Sequence, residues 1–356
     1  MYGKAFAPEY QGELGSVLGV NSSYDEVLAT ATHARRHAVS ALDRARASLA
    51  VAEAGRRLGR VAEAGASWRD SYRAARQAGD RGAMAWALWS GGTLARQCGA
   101  LPLARRLLAA AVDLAVEGGD RLAHGYSLAG LAETGRIQGD YEAVAEMHEQ
   151  LLAQARAHGE SRHMVWAMSG IAQMHRNTGA CDKALALFEE CARIADDADD
   201  ARGRAWSLRG IADVVSVQGD TERALTLLAE AATICRDMEL AGALAYNHKM
   251  RGNVLFRAAR YEEACAVYSR SLREFRDMNE PRGAALSRLG LVKSRSRQGR
   301  APDATLAELA ELETEFKRIG LRHARQTVIA FRDELAGVHR NTDPSPAHLP
   351  SAGTIS

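Results

Sequence analysis

With 356 residues and a formal charge of only +2, the chain has room for two or three ordinary domains. Its charge is too balanced for a nucleic-acid-binding stripe or a polybasic membrane anchor. Five cysteines form no C-x-x-C, no apolar run reaches 18 residues, and MYGKAFAPEY lacks the basic and apolar regions of an export signal. A reduced, cytoplasmic, soluble protein is expected.

In chain order, residues 1–39 read as an N-terminal arm and a capping half-repeat, in which Ser23-x-x-Glu26 forms a capping box opening a helix over about 23–38. Residues 40–320 hold seven copies of one 40-residue unit. Gly59, Gly99, Gly139, Gly179, Gly219 and Gly299 mark its register, with Ala259 in the remaining slot. Five residues after each slot stand Ala64, Ala104, Val144, Ala184, Ala224, Ala264 and Ala304. Residues 321–339 read as a polar-faced capping helix, and 340–356, with three prolines among small polar residues, as a disordered tail. A period of this length means stacked units, each too small to bury its own apolar face.

The fifth copy shows why the unit is a helical hairpin. Leu208, Ile211 and Val215 step by three and four, which is helical spacing. Gly219 ends that helix because glycine takes the left-handed conformation without a Cβ penalty. Asp220 or Thr221 then caps a second helix, with Glu222 in its first turn, where the helix dipole favours a carboxylate. Leu225, Leu228, Ala232 and Cys235 continue the period, and the small residues at 224 and 231 let the two helices approach closely. Helix breaks are expected near 59, 79, 99, 119 and every 20 residues onward.

The small residues Ala52, Gly92, Ala132, Ala172, Ala212 and Gly252, and the turn Gly139-Asp140-Tyr141-Glu142 followed by Val144, resemble the tetratricopeptide repeat (TPR). The resemblance covers roughly residues 40–320. Its period is longer than the usual ~34 residues. It is similar to the variant in bacterial peptide receptors, in the sensor domains of LuxR/MalT-type regulators and in Pins-type adaptors. It implies an all-α, right-handed superhelix of about seven hairpins with capping helices, its first helices lining a concave groove.

Numbering each unit with the turn glycine at 15, positions 2, 5, 9 and 12 share one face of the first helix. Position 2 reads Trp86, Tyr126, Trp166, Trp206 and Tyr246. Position 12 includes Arg56, Arg96, Arg136 and Arg176, position 9 includes Glu133, Gln173 and Asp213, and position 5 adds Trp89, Arg209 and Lys249. Rings give rigid contact area, and arginine forks onto carboxylates or stacks on π-faces. Two readings of the rings stand side by side: ligand contact, or packing between repeats. The arginines have an alternative too, as neutralisers of carboxylates such as Glu133.

Other candidates carry less. His33 and His37 lack a following Glu, and the run Asp196, Asp197, Asp199, Asp200 lacks calcium-loop spacing, so no metal site is expected. His148 occupies a slot that holds Trp68, Leu108 or Phe188 in other copies and reads as a structural histidine. No phosphate-binding or hydrolase motif occurs, and no cofactor is expected.

Together with the resemblance, these columns suggest a stand-alone, regulatory scaffold binding a peptide, a partner protein or a small ligand in its groove, with a homodimer possible. Neither a helix-turn-helix nor an ATPase module is expected ahead of the solenoid. The alternative is an enzyme of specialised metabolism using the groove as its active site, with Glu133 and Asp213 as acid–base groups.

Overall fold

In a computed structural model that describes residues 23–299 and 301–335, the chain is an all-α superhelix of sixteen helices with no strand among those residues. The N-terminal arm and the 340–356 tail lie outside the described residues. A first helix, α1 (Tyr24–Arg36), precedes the hairpins. These are α2 (Ala41–Arg57) with α3 (Val61–Ala78), α4 (Arg81–Gln97) with α5 (Leu101–Glu117), and α6 (Arg121–Gln138) with α7 (Tyr141–His158). Then come α8 (Ser161–Asn177) with α9 (Cys181–Asp197), α10 (Ala201–Val217) with α11 (Thr221–Asp237), and α12 (Ala241–Arg257) with α13 (Tyr261–Asp277). The last pair, α14 (Pro281–Arg297) with α15 (Pro302–Ile319), is covered by α16 (Arg322–Leu335).

The breaks fall at 20-residue steps. Gly59 has φ +74° and closes α2 with a double bond pattern: its amide donates to the Arg56 carbonyl at 3.2 Å, and that of Arg60 to the Gly55 carbonyl at 2.8 Å. Where the glycine is missing the backbone keeps the same shape, with φ of 52° at Asp199, 50° at Glu239, 57° at Ala259 and 52° at Asn279.

A second column caps four of the six later first helices. Asp80, Asp120, Asp200 and Glu280 each accept a hydrogen bond from the backbone amide three residues on, capping α4, α6, α10 and α14. Asp220 caps α11 in the same way, and Thr221 is the first residue inside that helix. The capping box is not at Ser23, which makes no side-chain cap bond, but at Ser40, whose hydroxyl accepts from the Asp43 amide while Asp43 accepts from Ser40.

Small residues at the hairpin contact, among them Ala52, Ala104, Ala132, Ala184, Ala212 and Ala224, are fully buried. Bulky residues of the second helices, including Leu108, Leu151, Phe188 and Leu228, fill the layer between hairpins. The solenoid then meets itself. Leu101 and Ile137 share one apolar cluster with Leu289, Phe316, Ile319 and Val328. A Cβ added to Gly59 would lie 3.5 Å from the Cα of Met278, and one on Gly99 would lie 3.3 Å from Ile319. The joints of the first two hairpins therefore rest against the last two, and the turn surrounds a space.

Candidate functional site

Inside the turn lies a cavity of about 380 Å³, partly open to solvent, lined mainly by the first helices of successive hairpins and reaching from Tyr24 to Arg282. Of the fifteen residues that the columns single out, fourteen line it: Arg56, Trp89, Arg96, Tyr126, Glu133, Arg136, Trp166, Gln173, Arg176, Trp206, Arg209, Asp213, Tyr246 and Lys249. Trp86 does not. It is wholly buried in the apolar layer around Leu49 and Leu108, and its indole Nε1 donates to Asp120 at 2.9 Å.

The aromatic column both packs and faces inward. Trp89 and Tyr126 meet edge to face with centroids 5.3 Å apart, and Tyr126 and Trp166 at 5.0 Å. The Tyr126 hydroxyl accepts from Arg162 at 3.2 Å, and the Tyr246 hydroxyl donates to Glu280 at 3.0 Å while accepting from Arg282.

Carboxylates in the wall are clamped. Arg136 forks onto Glu133 at 2.8 and 2.9 Å. Burial raises the Glu133 carboxyl, but Arg136 outweighs it, aided by Arg96 and Arg282, and holds it at about 2. Glu53, behind the wall, follows the same rule: burial raises it, Arg56 and Arg57 prevail, and it sits at about 2. Asp213 is gripped by Arg176 at 2.8 Å and by Arg257 at 2.7 Å. A carboxyl held at about 2 is a weak proton acceptor near neutral pH.

Cations remain in excess. Nine arginines and one lysine line the cavity against four carboxylates, in a chain whose overall charge is only +2. Among the described residues Arg96, Arg202, Arg209 and Lys249 form no ion pair. Burial pushes Arg96 and Arg202 down to about 10, so both stay protonated at neutral pH. Burial also pushes Lys249 well below its usual value; the Asp213 carboxylate opposes this, and Arg282, Arg209 and Arg176 act in the same direction as burial.

Several buried polar atoms of the wall have no hydrogen-bond partner: Thr93 Oγ1, Gln173 Oε1, Trp206 Nε1, Lys249 Nζ and both ring nitrogens of His148. Buried polar atoms are normally satisfied, so a cluster of exceptions makes this wall a candidate binding surface. Burial holds the His148 imidazole down at about 4, partly offset by Glu133.

One wall column escaped the choice of positions. Arg162, Arg202 and Arg282 stand four residues before position 2, on the same helix face, and recur at the repeat spacing. The period that found the other columns contains this signal.

Residues 163–237 match the family model described as tetratricopeptide repeat. Together with the stacked hairpins, this makes the chain a TPR-type repeat protein. Among solved structures it is similar to NprR in complex with its cognate peptide NprX, with TM-score 0.67 and 13% identity over 93% of this chain and 94% of that one. A Rap protein complexed with competence and sporulation factor gives 0.63 and 12% over 93% and 96%. The apo form of the quorum sensor NprR from B. thuringiensis gives 0.52 and 13% over 88% and 93%. At these identities the likeness is one of fold. No curated protein matches the sequence. No helix among the described residues is long and apolar enough to cross a membrane.

Proposed function

We propose that this chain is a regulatory, non-catalytic ligand-binding TPR protein of the cytoplasm that takes a short peptide or a small molecule inside its superhelical turn. The observation that carries the reading is the cavity, with rings at Trp89, Tyr126, Trp166, Trp206 and Tyr246 and unpartnered polar atoms on Thr93, Gln173 and Trp206. Its volume of about 380 Å³ lies in the range of small-ligand sites. Two structures of similar fold hold a cognate peptide or competence and sporulation factor, which supports the same use of the fold here. Because the turn closes on itself at Leu101 and Phe316, an occupant bridging its two ends would change how firmly they meet, giving a partner protein something to read.

The test is purification without denaturant, followed by mass spectrometry of whatever the folded protein releases on heating. Returned to the emptied protein, that component should change tryptophan fluorescence and raise the melting temperature. If nothing is released in stoichiometric amount and no member of a peptide library changes the fluorescence, the reading falls.

A further inference from the structure

A hydrogen bond that two position-2 rings make is missing at a third, in the cavity wall. Trp86 donates to Asp120 and Tyr246 to Glu280, each an acid 34 residues further along that also caps the next first helix. The residue 34 places after Trp206 is Leu240, which caps nothing, and Trp206 Nε1 is buried with no acceptor. Three residues along the same face of α10 stands Arg209, and one period later, on α12, stands Lys249. Arg209 lies over the Tyr246 ring, 5.9 Å from its centroid, and makes no hydrogen bond or ion pair among the described residues, and Lys249 Nζ is buried without a partner. Asp213 leans on both helices, but Arg176 and Arg257 already occupy its two oxygens.

A second unneutralised focus lies elsewhere on the wall. Arg202 is crowded by Arg57, Arg56 and Arg162. Of these, Arg56 and Arg57 share Glu53, and Arg162 reaches Asp200 at 3.4 Å. Arg202 itself has no carboxylate partner among the described residues. Placing cations out of water without counter-charges is costly, and it is sustained where an anion is to be received.

We propose that the ligand carries at least two anionic groups, one received by Lys249 and Arg209 with Trp206 Nε1 donating to it, the other by Arg202. This inference rests on the reading of the cavity as a ligand site. Carboxylate and phosphate satisfy the same donors, so both are covered by the proposal.

The experiment uses the full chain at constant ionic strength with three probes: a pentapeptide of Asp and Glu, its Asn and Gln counterpart, and tripolyphosphate. Binding is read by tryptophan fluorescence and melting temperature for the parent, Lys249→Met, Arg202→Gln and the exposed control Arg81→Gln. The acidic peptide or tripolyphosphate should bind at least tenfold more tightly than the amide peptide, and which of the two binds better tells carboxylate from phosphate. Lys249→Met and Arg202→Gln should each weaken that binding at least tenfold, and Arg81→Gln should leave it unchanged. Lys249→Met should also raise the melting temperature of the ligand-free protein, because it removes a buried polar group that has no hydrogen-bond partner.

If neither the acidic peptide nor tripolyphosphate binds more tightly than the amide peptide, the anion proposal is overturned and the cavity remains as a binding site. A ligand recovered by native purification that both variants retain with unchanged affinity does the same. Failure of every probe, with Lys249→Met no more stable than the parent, also overturns it, and the release experiment then decides the cavity reading separately.

Discussion

The ring of His148 fills the space that a side chain at position 170 would need. A Cβ on Gly170 would lie 2.2 Å from His148 Cε1, far inside contact distance. The same relation recurs one period away, where a Cβ on Gly130 would lie 2.9 Å from Leu108 Cδ2 and one on Gly210 would lie 2.4 Å from Phe188. Alanine is the better helix former by about 1 kcal/mol, yet overpacking costs about 1–3 kcal/mol. Gly170→Ala should therefore destabilise in urea unfolding, and His148→Ala in the same chain should remove most of that penalty.

His148 also sets a pH window. Its folded value of about 4 lies below the unfolded 6.5, so between these the unfolded chain binds more protons and stability falls as pH falls from 6.5 to 4. A shift of this size corresponds to about 3 kcal/mol. The groups acting on the ring are Glu133 and Arg136. His148→Phe, which places the residue of slot 188 there, should flatten stability across this window. Glu53 and Glu133, held at about 2 against an ordinary 4.5, contribute stability above pH 4.5 that is lost toward pH 2. That lower window should survive in the variant, and urea midpoints measured from pH 7 to pH 2.5 separate the two.

Ala259 holds φ +57° in the slot that glycine fills in the other copies. A left-handed L-residue costs about 1 kcal/mol, partly offset by glycine's greater freedom in the unfolded chain. Ala259→Gly should raise stability by about 0.5–1 kcal/mol, read as a higher melting temperature. A lower one would mean that the Ala259 methyl group makes contacts worth more than the strain.

Trp86 and Trp206 share a column and should behave oppositely. Trp86 is wholly buried and hydrogen-bonded, so Trp86→Ala should cost about 3–5 kcal/mol of folding stability. Trp206 lines the cavity with an unsatisfied N–H, so Trp206→Phe should leave stability unchanged or slightly higher, while weakening binding of the released ligand. Unfolding midpoints and fluorescence titrations of both variants decide this.

The hairpins and their breaks were legible because every unit repeats the same local chemistry. Gly59 and Gly219 carry the turn, and Ala184 and Ala224 the close helix contact. The inward face was legible through periodicity, which is why fourteen residues chosen by column meet in one cavity. What periodicity could not separate was Trp86 from Trp206, because a column assigns both the same place while the acid 34 residues on differs. Nor could it show that Leu101 joins Phe316, since contacts between distant copies depend on the accumulated twist of all the units between them.

In an open stack each unit touches only its neighbours, so a gene can gain or lose a copy and still encode a stable protein. Here Gly59 lies against Met278 and Gly99 against Ile319, so the ends of the array constrain one another. Inserting or deleting a single unit would rotate the final hairpins away from the first and open the wall. The number of copies is thereby locked, and this lineage must diversify by changing residues within its columns, not by lengthening the array.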